Sequence, residues 1–284
     1  MNVLIKVYRE MRRSYRGFQQ ERSGSKGLAE AKAKLLSDAG YSEEEKRWLR
    51  GTSTRIHRND LMFNGGPEHY LSSGISAMRC IRAAMDVVGV DWEGLSRILD
   101  LPCGYGRVLR LLRQACPQAE VTACEIDVEA VRFCEREFGA LPAASEIPIS
   151  RVVLNGKFDL IWCGSLLTHV DEPAALEFLR FFRDRLRNGG LCLFTAHGRI
   201  PTDWMRSGKV TYGLSDEARA NILSEYDAGN YAYADYPHAK NYGISAACPE
   251  RMRALSAQVS GWRECLFLDH GWDECQDVYA YQAV

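Results

Sequence analysis

The chain has 284 residues, 46% of them hydrophobic and 26% charged, with 36 Lys+Arg against 37 Asp+Glu and a net charge of -1. These figures describe a globular protein with a sizeable core, fitting one large α/β domain with an appendage or two small domains. They exclude recognition of a partner by bulk charge, and no uninterrupted apolar run reaches the length of a membrane span.

Charge is unevenly placed. Residues 1–58 carry 14 Lys+Arg against 7 Asp+Glu, a basic arm on an acidic body. A solvated helical face accounts for this more simply than an arm for phosphate or an acidic partner. Residues 1–22 predict a basic helix, too short in its apolar part and without the cleavage site of a secretory signal. Ser23–Gly27 predicts a break, 28–39 a second helix ended by Gly40, and 43–50 a short third one. A loop at 51–66 leads into a long helix from about Glu68 to Val88, with Tyr70, Ile75, Met78, Ile81 and Met85 at helical spacing. Tyr70 and Gly74 start that helix and are placed to cover the ligand site, with packing in the core an equal alternative for Tyr70.

From Ser96 the pattern changes. Strands are expected at Ile98–Leu101, Val121–Ile126, Leu141–Ser145, Phe158–Cys163 and Leu191–Ala196, separated by helices at about 106–115, 128–137 and 172–187. Segment 203–258 interrupts the alternation, and Trp262–Asp269 and Asp277–Gln282 close the chain as a hairpin. The expected fold is α/β: a Rossmann-like doubly wound sheet of seven strands, mostly parallel with an antiparallel last strand. Residues 1–94 read as a helical extension and cap, 95–284 as the ligand-binding domain, and 203–258 as a lid insert. Of the ten Cys, none form C-x-x-C, and no Cys/His cluster has zinc-ligand spacing. Cys103, Cys124, Cys163 and Cys192 lie in or beside apolar runs, which predicts reduced thiols, a cytoplasmic location and no metal site.

The first strand ends in ILDLPCGYGRVLRLL. Asp100 stands at its end, and Gly104 and Gly106 allow a tight bend with room for a ligand against the main chain. The second strand, VTACEI, ends at Glu125, where a carboxylate can accept hydrogen bonds from two ribose hydroxyls. A dinucleotide site wants a third glycine, and here that position is Leu109. Asp100 would repel a pyrophosphate and attract an ammonium group. The pattern therefore selects an aminoacyl nucleoside over a dinucleotide.

These stretches resemble known motifs in a fixed order. D-L-P-C-G-Y-G-R resembles motif I of class I S-adenosylmethionine-dependent methyltransferases, and ACEID resembles the motif ending their second strand. FDLIWCGSLLTHV is similar to their fourth-strand motif. LRNGGLCLFTAHG is similar to their turn into the fifth strand, with Asn188 where Pro is commoner. WDECQDVYAYQ is similar to their terminal hairpin. The resemblance covers about 95–200 and 262–284. It implies S-adenosyl-L-methionine as cofactor, with Asp100, Pro102, Cys103, Gly104 and Gly106 along its methionine and ribose end. It also implies Glu125 on the ribose, Ile126 or Asp127 near the adenine edge, Ser145 near the adenine amino group, and Cys163 and Gly164 presenting backbone to the methionine portion.

Methyl transfer from a sulfonium asks the protein mainly to align the reactants and exclude water. A general base is needed only when the nucleophile arrives protonated. His169, closing SLLTH, and His197, after the fifth strand, are the candidate bases, each with packing as its plain alternative. The insert holds Trp204 and Tyr212, Tyr226, Tyr231, Tyr233, Tyr236 and Tyr242. Tyr231, Tyr233, Tyr236 and His238 are the expected acceptor contacts, in a segment read as loop. No N/D-P-P-Y/F/W motif follows the fourth strand, no paired Cys suggests pyrimidine chemistry, and no acidic triplet suggests a metal-dependent site. The expected function is methyl transfer to O or N of a small-molecule acceptor, such as a natural-product or glycan-related metabolite, by a monomer or homodimer. Nucleic acid and membrane are not expected partners. Three alternatives stay open: an RNA or protein methyltransferase docking through the basic arm, a non-catalytic cofactor-binding partner protein, and an NAD-linked reductase.

Overall fold

Phe158–Cys163 is apolar on both sides of its backbone apart from Asp159, and the structure buries all six residues. Burial on both faces suits a central parallel strand covered by helices. The structure is a computed structural model that describes residues 2–237 and 239–284, with side chains from residue 20 onward.

The elements in chain order are α1 (Asn2–Ser37), α2 (Glu43–Arg50), α3 (Pro67–Val88), β1 (Arg97–Asp100), α4 (Leu109–Ala115), β2 (Glu120–Glu125), α5 (Val128–Phe138), β3 (Leu141–Ala144) and β4 (Phe158–Cys163). Then follow α6 (Glu172–Arg185), β5 (Leu186–Ala196), α7 (Arg199–Arg206), α8 (Asp216–Asp227), β6 (Ala232–Asp235), β7 (Gly243–Ala246), α9 (Pro249–Ser256), β8 (Trp262–Trp272) and β9 (Gln276–Ala283). Seven strands form one sheet in the order β3-β2-β1-β4-β5-β9-β8. β1 pairs in parallel with β2 and β4, and β9 lies antiparallel to both β5 and β8. The sheet is therefore the Rossmann-like one expected. Its strand order reverses between β1 and β4, and the crevice outside their carboxyl ends is where open α/β sheets take ligands.

One face of the sheet packs against α4, α5 and the N-terminal helices. Leu28, Trp48, Tyr70 and Met78 share a single buried cluster with Leu112 and Val121, so the helical extension is continuous with the main core. The other face packs against α6 and α9 through Leu179, Phe182, Met252 and Leu255. A smaller cluster around Met205, Ile222 and Ile244 lies under the insert.

Two expectations need correction. No break falls at Ser23–Gly27, because α1 runs through it. Gly24 there is a close-approach residue: a Cβ would stand 3.3 Å from the Phe63 ring. The Ser25 hydroxyl accepts from the Ile56 amide at 3.1 Å, locking helix to loop. Second, the aromatic stretch read as loop is a two-stranded antiparallel sheet, β6 with β7, in register Ala232 with Ala246 to Asp235 with Gly243. Alternation was hidden there by small residues on both strands. All ten Cys are free. Among the described residues, no helix is long and apolar enough to cross a membrane.

Candidate functional site

The carboxyl ends of β1, β2 and β4 open onto a cavity of about 350 Å³. Asp100 ends β1 and is 1% exposed, with its Oδ2 left without a partner. Burial, reinforced by the nearby Glu125 charge, pushes its carboxyl well above the usual range. An unpartnered buried carboxylate is costly unless a ligand satisfies it. The bend that follows needs both glycines, at φ +49° for Gly104 and +82° for Gly106. At Gly106 a Cβ would also stand 2.4 Å from the Phe138 ring.

Glu125 ends β2 and holds this bend in place. Its Oε2 accepts from the Gly104 amide at 3.0 Å and its Oε1 from the Ile126 amide at 2.7 Å. Ile126, 57% exposed, forms an apolar lip beside it.

A strap from the N-terminal region closes one side. Asp60 caps the short 3-10 turn Leu61–Gly65, accepting from the Met62 amide at 3.1 Å, and Asp60 and Met62 both line the cavity. Its other oxygen takes the Tyr70 hydroxyl at 2.7 Å, and burial raises its pKa. Buried Arg110 of α4 reaches the Tyr70 hydroxyl at 3.1 Å and the Ser53 carbonyl at 3.0 Å, fixing the strap to that helix. His57 stacks on Tyr105 with centroids 4.6 Å apart.

The insert closes the opposite side. The Gly243 amide donates to the His169 carbonyl at 3.0 Å, and His169 Nδ1 lies 2.8 Å from the Gly243 carbonyl. A carbonyl only accepts, so Nδ1 carries the proton and Nε2 keeps a free lone pair. Burial lowers the His169 pKa, so the ring is neutral near pH 7. Tyr242 stacks on this imidazole at 5.0 Å, and both line the cavity.

Of the residues expected from sequence, Asp100, Pro102, Cys103, Gly104, Glu125, Ile126, Gly164 and His169 meet at the cavity wall. Others stand behind it. Gly106 packs on Phe138 and Cys134. Asp127 caps α5 and accepts from the Tyr105 hydroxyl at 2.8 Å. Ser145 donates its amide to the Glu125 carbonyl at 2.8 Å, away from the cavity wall, and Cys163 is fully buried in the core. These four shape the site from behind it.

His197, the other candidate base, stands apart from this wall. It is 4% exposed, off the cavity wall, with Nδ1 3.1 Å from the Ser245 carbonyl. Burial drives its pKa down to about 3, which suits a packed neutral ring. Tyr231 and Tyr233 also stand apart from the cavity wall. The Tyr231 hydroxyl sits 3.0 and 3.1 Å from the Leu167 and Val170 carbonyls, pinning the insert to the body, and Tyr233 bonds Asp235 on its own strand. Tyr236 stands behind His169, its hydroxyl 3.3 Å from Nδ1. His238 lies outside the described residues. Tyr70 is buried behind Asp60 rather than at the mouth.

Sequence reasoning missed Asp60, Met62, Arg107, Trp162 and Trp272 as wall residues and passed over Tyr242 within the insert. Arg107, adjoining the glycine bend, was the one with a legible signal.

Residues 99–192 match the family described as Methyltransferase domain. This segment runs from β1 into β5 and contains the glycine bend, Glu125 and His169. The chain thus carries a methyltransferase domain over about a third of its length, consistent with the class I S-adenosylmethionine-dependent methyltransferase superfamily. Over 196 residues the methyltransferase is 24% identical to the ubiquinone biosynthesis O-methyltransferase of Psychrobacter arcticus, covering 66% of this chain and 68% of that one. A 37% identity to the chemotaxis protein methyltransferase of Klebsiella aerogenes is confined to 68 residues, 22% of this chain and 23% of that protein's length. The fold is shared with a Clostridium acetobutylicum S-adenosylmethionine-dependent methyltransferase, at TM-score 0.51 and 16% identity over 74% of this chain and 91% of that one. It is also shared with the CcbJ methyltransferase of Streptomyces caelestis, at TM-score 0.52 and 14% identity over 78% of this chain and 98% of that one. The cofactor of this methyltransferase is S-adenosylmethionine, and the residues present fit it. The orphaned Asp100 oxygen suits an ammonium group, and the bend beside Glu125 leaves main chain open to a nucleoside.

Proposed function

We propose that the enzyme methylates a hydroxyl, or alternatively an amine, on a small-molecule acceptor, with His169 as the general base. Asp100 takes the cofactor's ammonium, Glu125 its ribose hydroxyls, and Ile126 one edge of its adenine. When bound, S-adenosylmethionine supplies a methyl group already activated by its sulfonium. The protein's own task is then to orient the acceptor, exclude water and remove a proton. His169 is suited to the last of these, since its Nδ1–H is held by the Gly243 carbonyl and its Nε2 lone pair has no partner among the described residues. A base serves a hydroxyl, and equally an amine that arrives as ammonium, so the base admits both acceptors and O-methylation is preferred on the similarity that follows. The similarity to an O-methyltransferase supports it.

The observation that carries the proposal is the neutral, tautomer-fixed His169 stacked with Tyr242 at the cavity wall. An aromatic ring beside the base suits an acceptor with a planar apolar body. Residues 203–258 then act as the lid and residues 1–94 as the cap. The test is release of S-adenosylhomocysteine with a panel of phenols, aliphatic alcohols and amines. Turnover with a phenol at rates equal for the full chain and a version lacking residues 1–19 supports the reading. Turnover only with RNA or protein, lost on that truncation and steeply salt-dependent, overturns it.

A further inference from the structure

Arg107 follows the glycine bend and lines the cavity. Its side chain is half-buried, and burial lowers its pKa while leaving it charged at any working pH. Among the described residues its guanidinium makes no hydrogen bond and no ion pair. It rests over the Trp272 ring, 5.1 Å from the centroid. That ring is fixed, its indole N–H donating to the Ser73 carbonyl at 2.9 Å. The backbone is fixed as well, because a Cβ at Gly74 of α3 would stand 3.0 Å from the Arg107 carbonyl.

The nearby acids do not satisfy this charge. Asp60 is taken by the Tyr70 hydroxyl and the Met62 amide, and Asp273 lies 3.4 Å from His69. Asp100 is near enough to be felt electrostatically yet makes no bond to Arg107, and its own Oδ2 is orphaned. The cavity thus presents two unanswered groups of opposite character, an acid that a bound cation would ionise and a guanidinium. Glu125 is engaged by the Gly104 amide. An oriented guanidinium held on an aromatic face in a half-dry wall binds a carboxylate well, because its fork matches two oxygens and little rotamer freedom remains to be lost.

We propose that Arg107 binds the carboxylate of the cofactor's amino-acid end, so that Asp100 and Arg107 together recognise its zwitterion. This rests on the cofactor reading of Asp100 and Glu125 above. It makes Arg107 a specificity residue against nucleosides that lack the carboxylate. An acceptor carboxylate would share the same chemistry, and the test separates the two sources.

The test is calorimetric binding, without turnover, of S-adenosylhomocysteine and its decarboxylated analogue to the wild type, Arg107→Gln and Arg107→Lys, with thermal melts to verify folding. The wild type is expected to bind the decarboxylated analogue about 10- to 100-fold more weakly. Arg107→Gln should lose a similar factor for S-adenosylhomocysteine and almost none for the analogue, with Arg107→Lys between. Unchanged affinity of Arg107→Gln for S-adenosylhomocysteine overturns the proposal and leaves the acceptor as the anion's source. Equal losses for both ligands also overturn it, reducing Arg107 to a wall residue. If Arg107→Gln fails to fold, the wild-type pair of affinities decides: equal values refute the proposal. No binding of either ligand by the wild type would instead bring down the cofactor reading itself.

Discussion

Glu125→Ala removes the carboxylate that joins the glycine bend to the end of β2. The carboxylate has about four lone-pair directions. Three amides already draw on it: Gly104 at 3.0 Å, Ile126 at 2.7 Å, and Asp127 at a long 3.4 Å. That leaves room for one strong hydrogen bond from a ribose hydroxyl and a second shared with the weak Asp127 contact. Bonds to a charged acceptor contribute about 1.5–3 kcal/mol each, less at a half-exposed site, so the cofactor's loss is about 1–3 kcal/mol. In dissociation constant this is roughly 5- to 150-fold. Calorimetry with S-adenosylhomocysteine reads the loss directly. A 2′-deoxy analogue separates the ribose contact from disorder of the bend: it should bind the wild type more weakly and the variant no differently from the parent ligand. An unchanged dissociation constant for Glu125→Ala, or a deoxy penalty that persists in the variant, would refute this assignment.

His169→Gln should lower kcat by about 10²–10⁴-fold with a phenolic acceptor while leaving cofactor affinity within a few-fold. Since burial lowers the His169 pKa from its ordinary 6.5, the base stays neutral as pH falls through 6.5. The rate should therefore decline only below that value, and the acid limb should vanish in the variant. His197→Asn serves as the contrast, lowering the unfolding midpoint and preserving the limb. Gly106→Ala forces a side chain into positive φ against Phe138 and should cost about 1–3 kcal/mol in denaturant unfolding.

The sheet was readable because each strand is a short apolar run bounded by turns, and the run Asp100–Gly106 is local in sequence. The cofactor wall built from β1, β2 and β4 followed from that locality. What escaped was the part assembled from distant segments. Asp60 and Met62 reach the cavity because Arg110 ties residues 53 and 55 to α4, and nothing in residues 51–66 announces that tie. Trp272 arrives from the far end of β8. Among the insert tyrosines, choice depended on strand register: Tyr231 faces the body, and Tyr242 precedes β7 and meets His169. Gly24 in α1 shows the same limit, since a glycine needed for close approach looks in sequence like a helix breaker.

The most direct measurement titrates the protein, side by side, with S-adenosylhomocysteine and NADH. Micromolar binding of the thioether nucleoside, lost on Asp100→Asn, with no heat from NADH, is the outcome that an orphaned carboxylate at the end of β1 requires. Tight binding of NADH, or adenosyl binding indifferent to Asp100→Asn, would contradict it.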